Sequence, residues 1–126
     1  MIEFNDSEAA RALADRAEAL MEEVVLPRER ELAGGTQVSA GTVSDLRAAA
    51  REYDVYAPQI AEEHGGMGYD FRDVLPAFEQ AGRSTLGPTA MRVDAPDEGN
   101  MHLLELHGSD LQQEQYLEPL VAGDLR

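Results

Sequence analysis

Apolar residues recur at intervals of three and four along the first quarter of the chain, which is the period of an amphipathic helix. This pattern predicts a helix from Asp6 to about Leu32, with Asp6 or Ser7 as its N-cap. Pro27 is expected to end or kink the helix, and the pair Gly34-Gly35 to open a loop. The predicted buried face consists of Leu13, Ala17, Leu20, Met21 and Val24.

Two further segments show the same helical period. Thr42 is suited to cap a second helix, with Asp45 three residues on. A third helix is expected over residues 70–83, where Pro76 lies near enough to the first turn to be tolerated. The predicted apolar stripe of the second helix is Leu46, Ala49, Ala50 and Tyr53. That of the third helix is Phe71, Val74, Leu75, Phe78 and Ala81.

Glycine and proline interrupt the helical pattern in two regions. Residues 55–69 are expected to form a loop, because Ala57-Pro58 favours extended backbone and the glycine-rich run 65–68 cannot hold a helix. Residues 84–96 are the least regular part of the chain, since they contain Gly87-Pro88 and Ala95-Pro96.

Two short helices are predicted after this irregular region. Asp97 is expected to cap a helix that runs to His107, with Met101 and Leu104 facing inward and Leu103 as a further candidate. Asp110 is expected to cap the last helix, which would pack through Leu111, Gln115, Tyr116 and Leu120.

These elements together predict an all-α fold. No segment alternates apolar and polar residues with the period of a β-strand, and no internal repeat is present. The chain of 126 residues is long enough for one domain with a buried core. We therefore expect a single domain over residues 1–126, built as an antiparallel helical bundle of about five helices.

The charge balance changes the picture of the surface. Twenty-five carboxylates face ten cations, all of them arginine, which gives a formal net charge of -15. Such a surface repels nucleic acid and anionic lipid, so we expect no nucleic acid and no membrane among the partners. The total absence of lysine favours a halophilic, haloarchaeal source, in which salt screens the self-repulsion. The alternatives are an acidic protein of an ordinary cell and an acidic domain within a more balanced chain.

Cysteine is absent, which excludes disulfides and thiolate chemistry, and no apolar run approaches the length of a membrane span. No N-terminal signal segment is visible, so a cytoplasmic location is expected.

No motif of the chain by itself indicates catalysis. The run Gly65-Gly66-Met67-Gly68 lacks the lysine and the preceding strand of phosphate-binding loops, which favours a turn between helices. Glu98, His102 and Glu105 share one helix face, but bundle metal sites take ligands from several helices, which favours a solvated acidic face over a metal site. None of the serines lies in a nucleophile elbow.

Three pieces of the sequence, in order, resemble the helical N-terminal domain of acyl-CoA dehydrogenases. They are the first helix with its end Val25-Leu26-Pro27, the loop from Pro58 through Glu63-His64-Gly65-Gly66-Met67-Gly68 with the following helix to Ser84, and the stretch from Gly108 through Gln115 and Leu120 to Gly123. In the third piece Gln113 is an extra residue before Gln115, the glutamine that anchors the match to the family's pattern. The stretch 95–101 resembles the branch of the family with the human members ten and eleven.

The resemblance implies an FAD-dependent enzyme that forms an α,β double bond in acyl-CoA thioesters during fatty-acid oxidation. It also implies an electron-transfer flavoprotein as partner and a homo-oligomer. The chain ends at Arg126, so the flavin-binding β-barrel and the C-terminal catalytic helical domain are expected to be absent, no catalytic residue can be assigned, and the main FAD-binding residues would lie elsewhere.

The family's N-terminal helices form one wall of the acyl pocket, and the matching stretch is about 91–104. On this resemblance Met91, Gly99, Asn100 and Leu103 are the candidate substrate-binding residues, although Met91 and Leu103 could equally be core and Gly99-Asn100 a helix start. The isolated chain is expected to be inactive. The alternative function is a non-enzymatic helical module of the same descent that binds a protein partner or an acyl group.

Overall fold

The computed structural model of the protein describes residues 5–33 and 37–125, and these ranges contain helices and turns but no β-strand. The α-helices are α1 (Glu8–Leu20), α2 (Leu26–Glu31), α3 (Ala40–Glu52), α4 (Phe71–Ala81), α5 (Gly87–Met91), α6 (Asp97–His107), α7 (Asp110–Gln112) and α8 (Glu118–Ala122). A 3₁₀ turn lies at Glu62–His64, and π-helical turns lie at Met21–Val25 and Gln113–Leu117. The predicted all-α helical fold is confirmed, while the predicted Gly34-Gly35 loop lies outside the described residues.

The first helix begins at Ser7, one of the two predicted caps, whose Oγ accepts a hydrogen bond from the Ala10 amide at 3.0 Å. Of the two outcomes predicted for Pro27, termination is wrong, because the helix continues to Glu31. A π turn precedes the proline, and the Leu26 amide donates to the Met21 carbonyl five residues back. The wider turn displaces the carbonyls that the proline ring would otherwise meet.

The π turn also changes which residues of the first helix face the core. Leu20, Met21 and Val25 are fully buried, whereas the predicted Val24 is only partly buried. A π turn holds one residue more than an α turn, so the inward face advances by one position after it. A second π turn at Gln113–Leu117 precedes Pro119 at the same spacing.

Helix α3 starts three residues earlier than predicted. Ser39 is its N-cap, and the Ser39 Oγ accepts a hydrogen bond from the Thr42 amide at 3.1 Å. Thr42 lies inside the first turn, where its hydroxyl accepts hydrogen bonds from the Ser39 hydroxyl and from Arg28. The predicted stripe holds, with Leu46 and Ala50 buried and Ala49 and Tyr53 partly buried.

Helix α4 is capped by Asp70 and packs along α1. Its contact stripe is Val74, Ala77 and Ala81, all buried. The prediction that Phe71 and Leu75 belong to the buried face is wrong, because both side chains are exposed. The exposed fraction of Phe71 is 51%. The small alanines allow the close approach to α1, and this turns the two large side chains toward solvent.

The loop between α3 and α4 is part of the core. Residues 55–60 are all buried, and the Ala57 amide donates to the Met91 carbonyl at 2.9 Å. The glycine-rich run folds back onto this segment, since the Gly68 amide donates to the Ile60 carbonyl at 2.8 Å. The prediction that the run forms a turn is therefore confirmed.

Both predicted caps in the last third are wrong by one residue. Asp97 is the first residue of α6, with Pro96 in the N-cap position and no side-chain cap. Ser109 rather than Asp110 caps α7, in a reciprocal capping box with Gln112. Among the predicted inward residues Met101 and Leu120 are buried, Leu104 is partly buried, and the exposed ones are Leu103, Leu111, Gln115 and Tyr116.

The described helices are all too short or too polar to cross a lipid bilayer.

Candidate functional site

Three of the four predicted substrate-binding residues lie together on α6. Gly99, Asn100 and Leu103 are exposed, and their spacing of three and four residues places them on one side of the helix. Leu106 continues this side by a further turn and is also exposed. We call these four residues the α6 face.

The fourth predicted residue, Met91, is separate from the α6 face. It ends α5 and has 0% exposure, packed within the hydrophobic core. Its side chain therefore contacts the interior of this chain rather than open surface.

The α6 face offers apolar surface with free space before it. Leu103 is 59% exposed and Leu106 is 61% exposed, so the face presents two large aliphatic side chains together. A Cβ on Gly99 would meet no atom within 4 Å. His102, the neighbour of Leu103, lies against Phe71 of α4 with ring centroids 6.2 Å apart, so apolar surface extends toward that helix.

A buried arginine fixes the start of α6. The Arg92 side chain has 0% exposure, and its Nη1 donates to the Asp97 carboxylate at 2.7 Å and to the Asp94 carboxylate at 3.5 Å. Two carboxylates compensate the buried guanidinium charge, and Thr89 donates a further hydrogen bond to Asp94. Asp97 serves this contact instead of capping the helix.

The same guanidinium reaches the end of the last helix. Arg92 Nε donates to the Leu120 carbonyl at 2.8 Å, and Nη2 donates to the Leu125 carbonyl at 3.2 Å. Arg92 itself has a left-handed backbone with φ of 61°, and Gln59 donates to its carbonyl at 3.4 Å. Backbone and side chain of Arg92 are thus both held by other segments.

Two neighbouring carbonyls at the end of α8 also receive side-chain donors. The Tyr56 hydroxyl donates to the Val121 carbonyl, and Arg51 donates to the Ala122 carbonyl at 3.1 Å while stacking on the Tyr56 ring. These carbonyls have no partner within a helix that stops at Ala122, so donors from other segments satisfy them.

The far end of α6 is held by Gln113. Its Nε2 donates to the carbonyls of Leu104 and Glu105, both at 3.2 Å, and the Glu105 carboxylate accepts the Ala61 amide at 2.9 Å. Gln115, which was predicted to pack inward, is exposed, so Gln113 and not Gln115 holds the end of α6. The π turn at Gln113–Leu117 holds the extra residue, and this brings Gln113 against α6.

The residues considered for a metal site have other contacts. His102 lies against Phe71, and Glu105 binds the Ala61 amide. Within residues 5–33 and 37–125, no group of three histidine or acidic side chains has the arrangement that a metal ion requires.

Two surface groups have perturbed pKa values. The hydroxyl of Thr85, and then its amide, donate to the Glu29 carboxylate and lower the pKa of Glu29 below 4.5. The Tyr53 hydroxyl donates to Glu23, and this hydrogen bond to a carboxylate raises the pKa of Tyr53 above 10.0. The first pair joins α2 to the turn before α5, the second joins the π turn Met21–Val25 to the end of α3, and neither lies on the α6 face.

The structure also contains a cavity at the end of α8, which is distinct from the α6 face. It has a volume of about 410 Å³, and its lining includes Val43, Arg47, Arg51 and Gly123 but none of the four predicted substrate-binding residues. The α6 face thus takes no part in lining this cavity.

Arg92 was not identified from the sequence. One signal was present, since Arg92, Asp94 and Asp97 place three charges within six residues in a stretch that otherwise connects apolar segments. Charges so close to buried positions indicate an internal ion pair. The carbonyl partners of Arg92 have no such signal, because any residue has a carbonyl.

Comparison with known proteins gives concordant matches. The family model described as acyl-CoA dehydrogenase, N-terminal domain, matches residues 7–124. Acyl-CoA dehydrogenase family member 11 of Mus musculus is 26% identical over 134 aligned positions, which cover 97% of this chain and 16% of that protein. The Mycobacterium tuberculosis protein named probable acyl-CoA dehydrogenase FadE2 is 29% identical over 67% of this chain and 20% of its own length.

A solved structure agrees with these matches. A candidate acyl-CoA dehydrogenase from Mycobacterium abscessus superposes with a TM-score of 0.81 and 31% identity, over 98% of this chain and 34% of that one. The chain thus spans about a sixth to a third of the length of these relatives.

Proposed function

The chain belongs to the acyl-CoA dehydrogenase N-terminal domain family, and from this premise we propose that it serves as the helical N-terminal domain of an FAD-dependent acyl-CoA dehydrogenase. The observation that carries the proposal is the family match over residues 7–124, joined to a superposition that covers 98% of the chain. The proposed reaction forms an α,β double bond in an acyl-CoA thioester.

The chemical groups of this reaction would be supplied by the other domains of a longer protein. A bound flavin would supply the hydride acceptor for the β-carbon, and a carboxylate in another domain would serve as the base for the α-proton. The glycine-rich turn does not fit a flavin phosphate, because the amides of residues 65–68 all donate to backbone carbonyls of this chain. We therefore assign no reaction step to these residues.

The proposed contribution of this chain is one wall of the acyl pocket. Leu103 supplies apolar surface for an acyl chain, and Gly99 leaves space for it one helical turn earlier. Asn100 adds a polar amide on the same side of α6. Met91, which is wholly buried, is proposed to support this wall from the core.

The proposed partners follow from the same assignment. They are an acyl-CoA substrate, an electron-transfer flavoprotein that reoxidises the flavin, and further copies of the protein in a homo-oligomer. The proposed location is the cytoplasm. The isolated chain is proposed to be inactive, because the flavin site and the base are proposed to lie in other domains.

The test uses the protein encoded by the complete reading frame that contains this sequence. We expect it to purify with FAD, and acyl-CoA thioesters of graded chain length should bleach the visible flavin absorbance under anaerobic conditions. A Leu103→Asp variant should raise the KM for acyl-CoA about tenfold or more, because a carboxylate would be buried against the acyl chain.

Leu111→Asp is the matched control, since Leu111 is 60% exposed, close to the 59% of Leu103, but lies on α7. Its KM should stay within about twofold of wild type, as for a surface substitution. Equal effects of the two variants would contradict the assignment of the α6 face. Failure of the protein to bind either FAD or acyl-CoA would contradict the proposed enzymatic function. It would favour the alternative, a helical module that binds a partner.

A further inference from the structure

We propose that Arg92 is a positioning residue that sets the α6 face against the end of the last helix. The contact to Asp97 holds the first residue of α6, and the contacts to the Leu120 and Leu125 carbonyls hold the end of α8 and the residues after it. One guanidinium therefore joins the two segments. The consequence of this connection for an acyl pocket rests on the proposed function.

The chemistry of the guanidinium suits this task. Arginine presents its N–H groups in a rigid planar fork, so the direction of one hydrogen bond fixes the direction of the others. Here Nε and Nη2 donate to carbonyls, while Nη1 donates to the Asp94 and Asp97 carboxylates. A shift of α6 along its axis would break the 2.7 Å contact to Asp97 unless the end of α8 moved with it.

The backbone of Arg92 adds a second constraint. A non-glycine residue with φ of 61° is uncommon and carries a strain cost that the surrounding structure must outweigh. The Gln59 amide holds the Arg92 carbonyl, and Ala57 holds the carbonyl of the preceding Met91. The conformation directs the side chain into the interior between α6 and α8, which contact each other directly.

Burial makes the loss of these contacts costly in free energy. Arg92 is fully shielded, and Asp97 is 2% exposed. An unpaired charge in such a place is far more costly than a surface charge, so neither partner can leave without the other being neutralised or hydrated. The arginine therefore permits one arrangement of the two segments.

The experiment measures hydrogen–deuterium exchange of backbone amides in the full chain, without acyl-CoA or flavin. Arg92→Met should accelerate exchange at least about tenfold in both α6 and residues 118–125, because charged hydrogen bonds are lost at both ends. Amides of α1 and α4 should change less. Arg83→Met, which removes a partly exposed arginine 3.4 Å from Glu22, is the control and should leave α6 and α8 unchanged.

Arg92→Lys separates positioning from simple filling of the core. A lysine can pair with Asp97 but cannot reach the Leu120 and Leu125 carbonyls at the same time, so protection should return in α6 and stay low in 118–125. Asp97→Asn is the milder partner variant and should give the opposite split, with α6 affected more than 118–125.

Exchange that rises equally in all helices, or is the same for the Lys and Met variants, would overturn the proposal. If Arg92→Met does not fold, the split between Arg92→Lys and Asp97→Asn decides the question. Because the readout needs no substrate, a failure of this proposal is distinct from a failure of the proposed enzymatic function.

Discussion

Gly66 and Ile60 approach so closely that a Cβ on Gly66 would lie 2.1 Å from the Ile60 carbonyl oxygen. No ordinary Cβ contact is that short, and the atoms it would meet belong to buried backbone that cannot move independently. This contact folds the glycine-rich turn onto the core segment 55–60, which in turn holds the Met91 carbonyl through Ala57.

Gly66→Ala should therefore lower the free energy of unfolding by at least about 2 kcal/mol, the range of overpacking in a core. Gly99→Ala is the matched control, because a Cβ there meets nothing within 4 Å and the residue lies inside α6. It should raise stability by about 0.5–1 kcal/mol through helix propensity. Chemical denaturation of both variants measures the difference, and a Gly66→Ala variant as stable as wild type would contradict the close contact.

Gln113→Ala should destabilise the chain by about 1 kcal/mol or somewhat more. The substitution removes the donor to the Leu104 and Glu105 carbonyls at the end of α6. Gln115→Ala, two residues away and exposed, should change stability by less than about 0.5 kcal/mol. Urea denaturation of the pair tests which glutamine anchors α6, and a larger effect at Gln115 would refute the assignment.

Glu29 predicts an acid-dependent loss of stability. Its pKa is lowered below 4.5 by the donors of Thr85, so its stabilising effect is complete above the unfolded pKa and disappears as pH falls through the folded pKa. The stability difference between wild type and Glu29→Gln should therefore shrink when unfolding is measured from pH 6 down to below about 4. Thr85→Val should remove that pH dependence in the same way, and a difference that stays constant across the range would argue against the interaction.

The raised pKa of Tyr53 predicts a loss of stability at alkaline pH. Its pKa is raised above 10.0 by Glu23, so the hydrogen bond stabilises the fold while Tyr53 is protonated and is lost as pH rises through the raised pKa. Ultraviolet titration should show a tyrosine transition above 10.0 to which Tyr53 contributes. Tyr53→Phe should diminish this late transition, whereas Tyr116→Phe, which removes an exposed tyrosine, should leave it in place.

The net charge of -15 predicts that stability falls as the salt concentration is lowered. Lowering salt from molar to tens of millimolar lengthens the screening distance from about 3 Å to more than 10 Å, so repulsion among carboxylates increases. The Tm should fall accordingly. Replacing the exposed Asp15, Glu18 and Glu114 with their amides should weaken the salt dependence, and a Tm indifferent to salt in wild type would exclude this effect.

Local patterns in the sequence were sufficient for the kind and order of the helices. The stripe Leu13, Ala17 and Leu20 identified the inward side of α1, because residues three and four apart share one side of a helix whatever packs against it. Gly65-Gly66-Met67-Gly68 identified the turn for a similar reason, since three glycines in four positions disfavour helix irrespective of the surroundings.

Helix boundaries depended on details that periodicity does not carry. Ser39, Pro96 and Ser109 occupy the N-cap positions expected for Thr42, Asp97 and Asp110. At α3 and α7 a serine near the boundary caps the helix instead of the predicted residue, and at α6 Asp97 pairs with the buried Arg92 rather than capping.

The helical character of the chain, the inward sides of α1 and α3 and the position of the glycine-rich turn follow from interactions between residues close in the chain. The burial of Arg92 between α6 and α8, the exposure of Phe71 and Leu103, and the hold of Gln113 on α6 follow only from the packing of the helices. These outcomes depend on partners far apart in sequence, and on carbonyl groups that every residue possesses. A burial pattern of that kind is fixed only when the helices pack together.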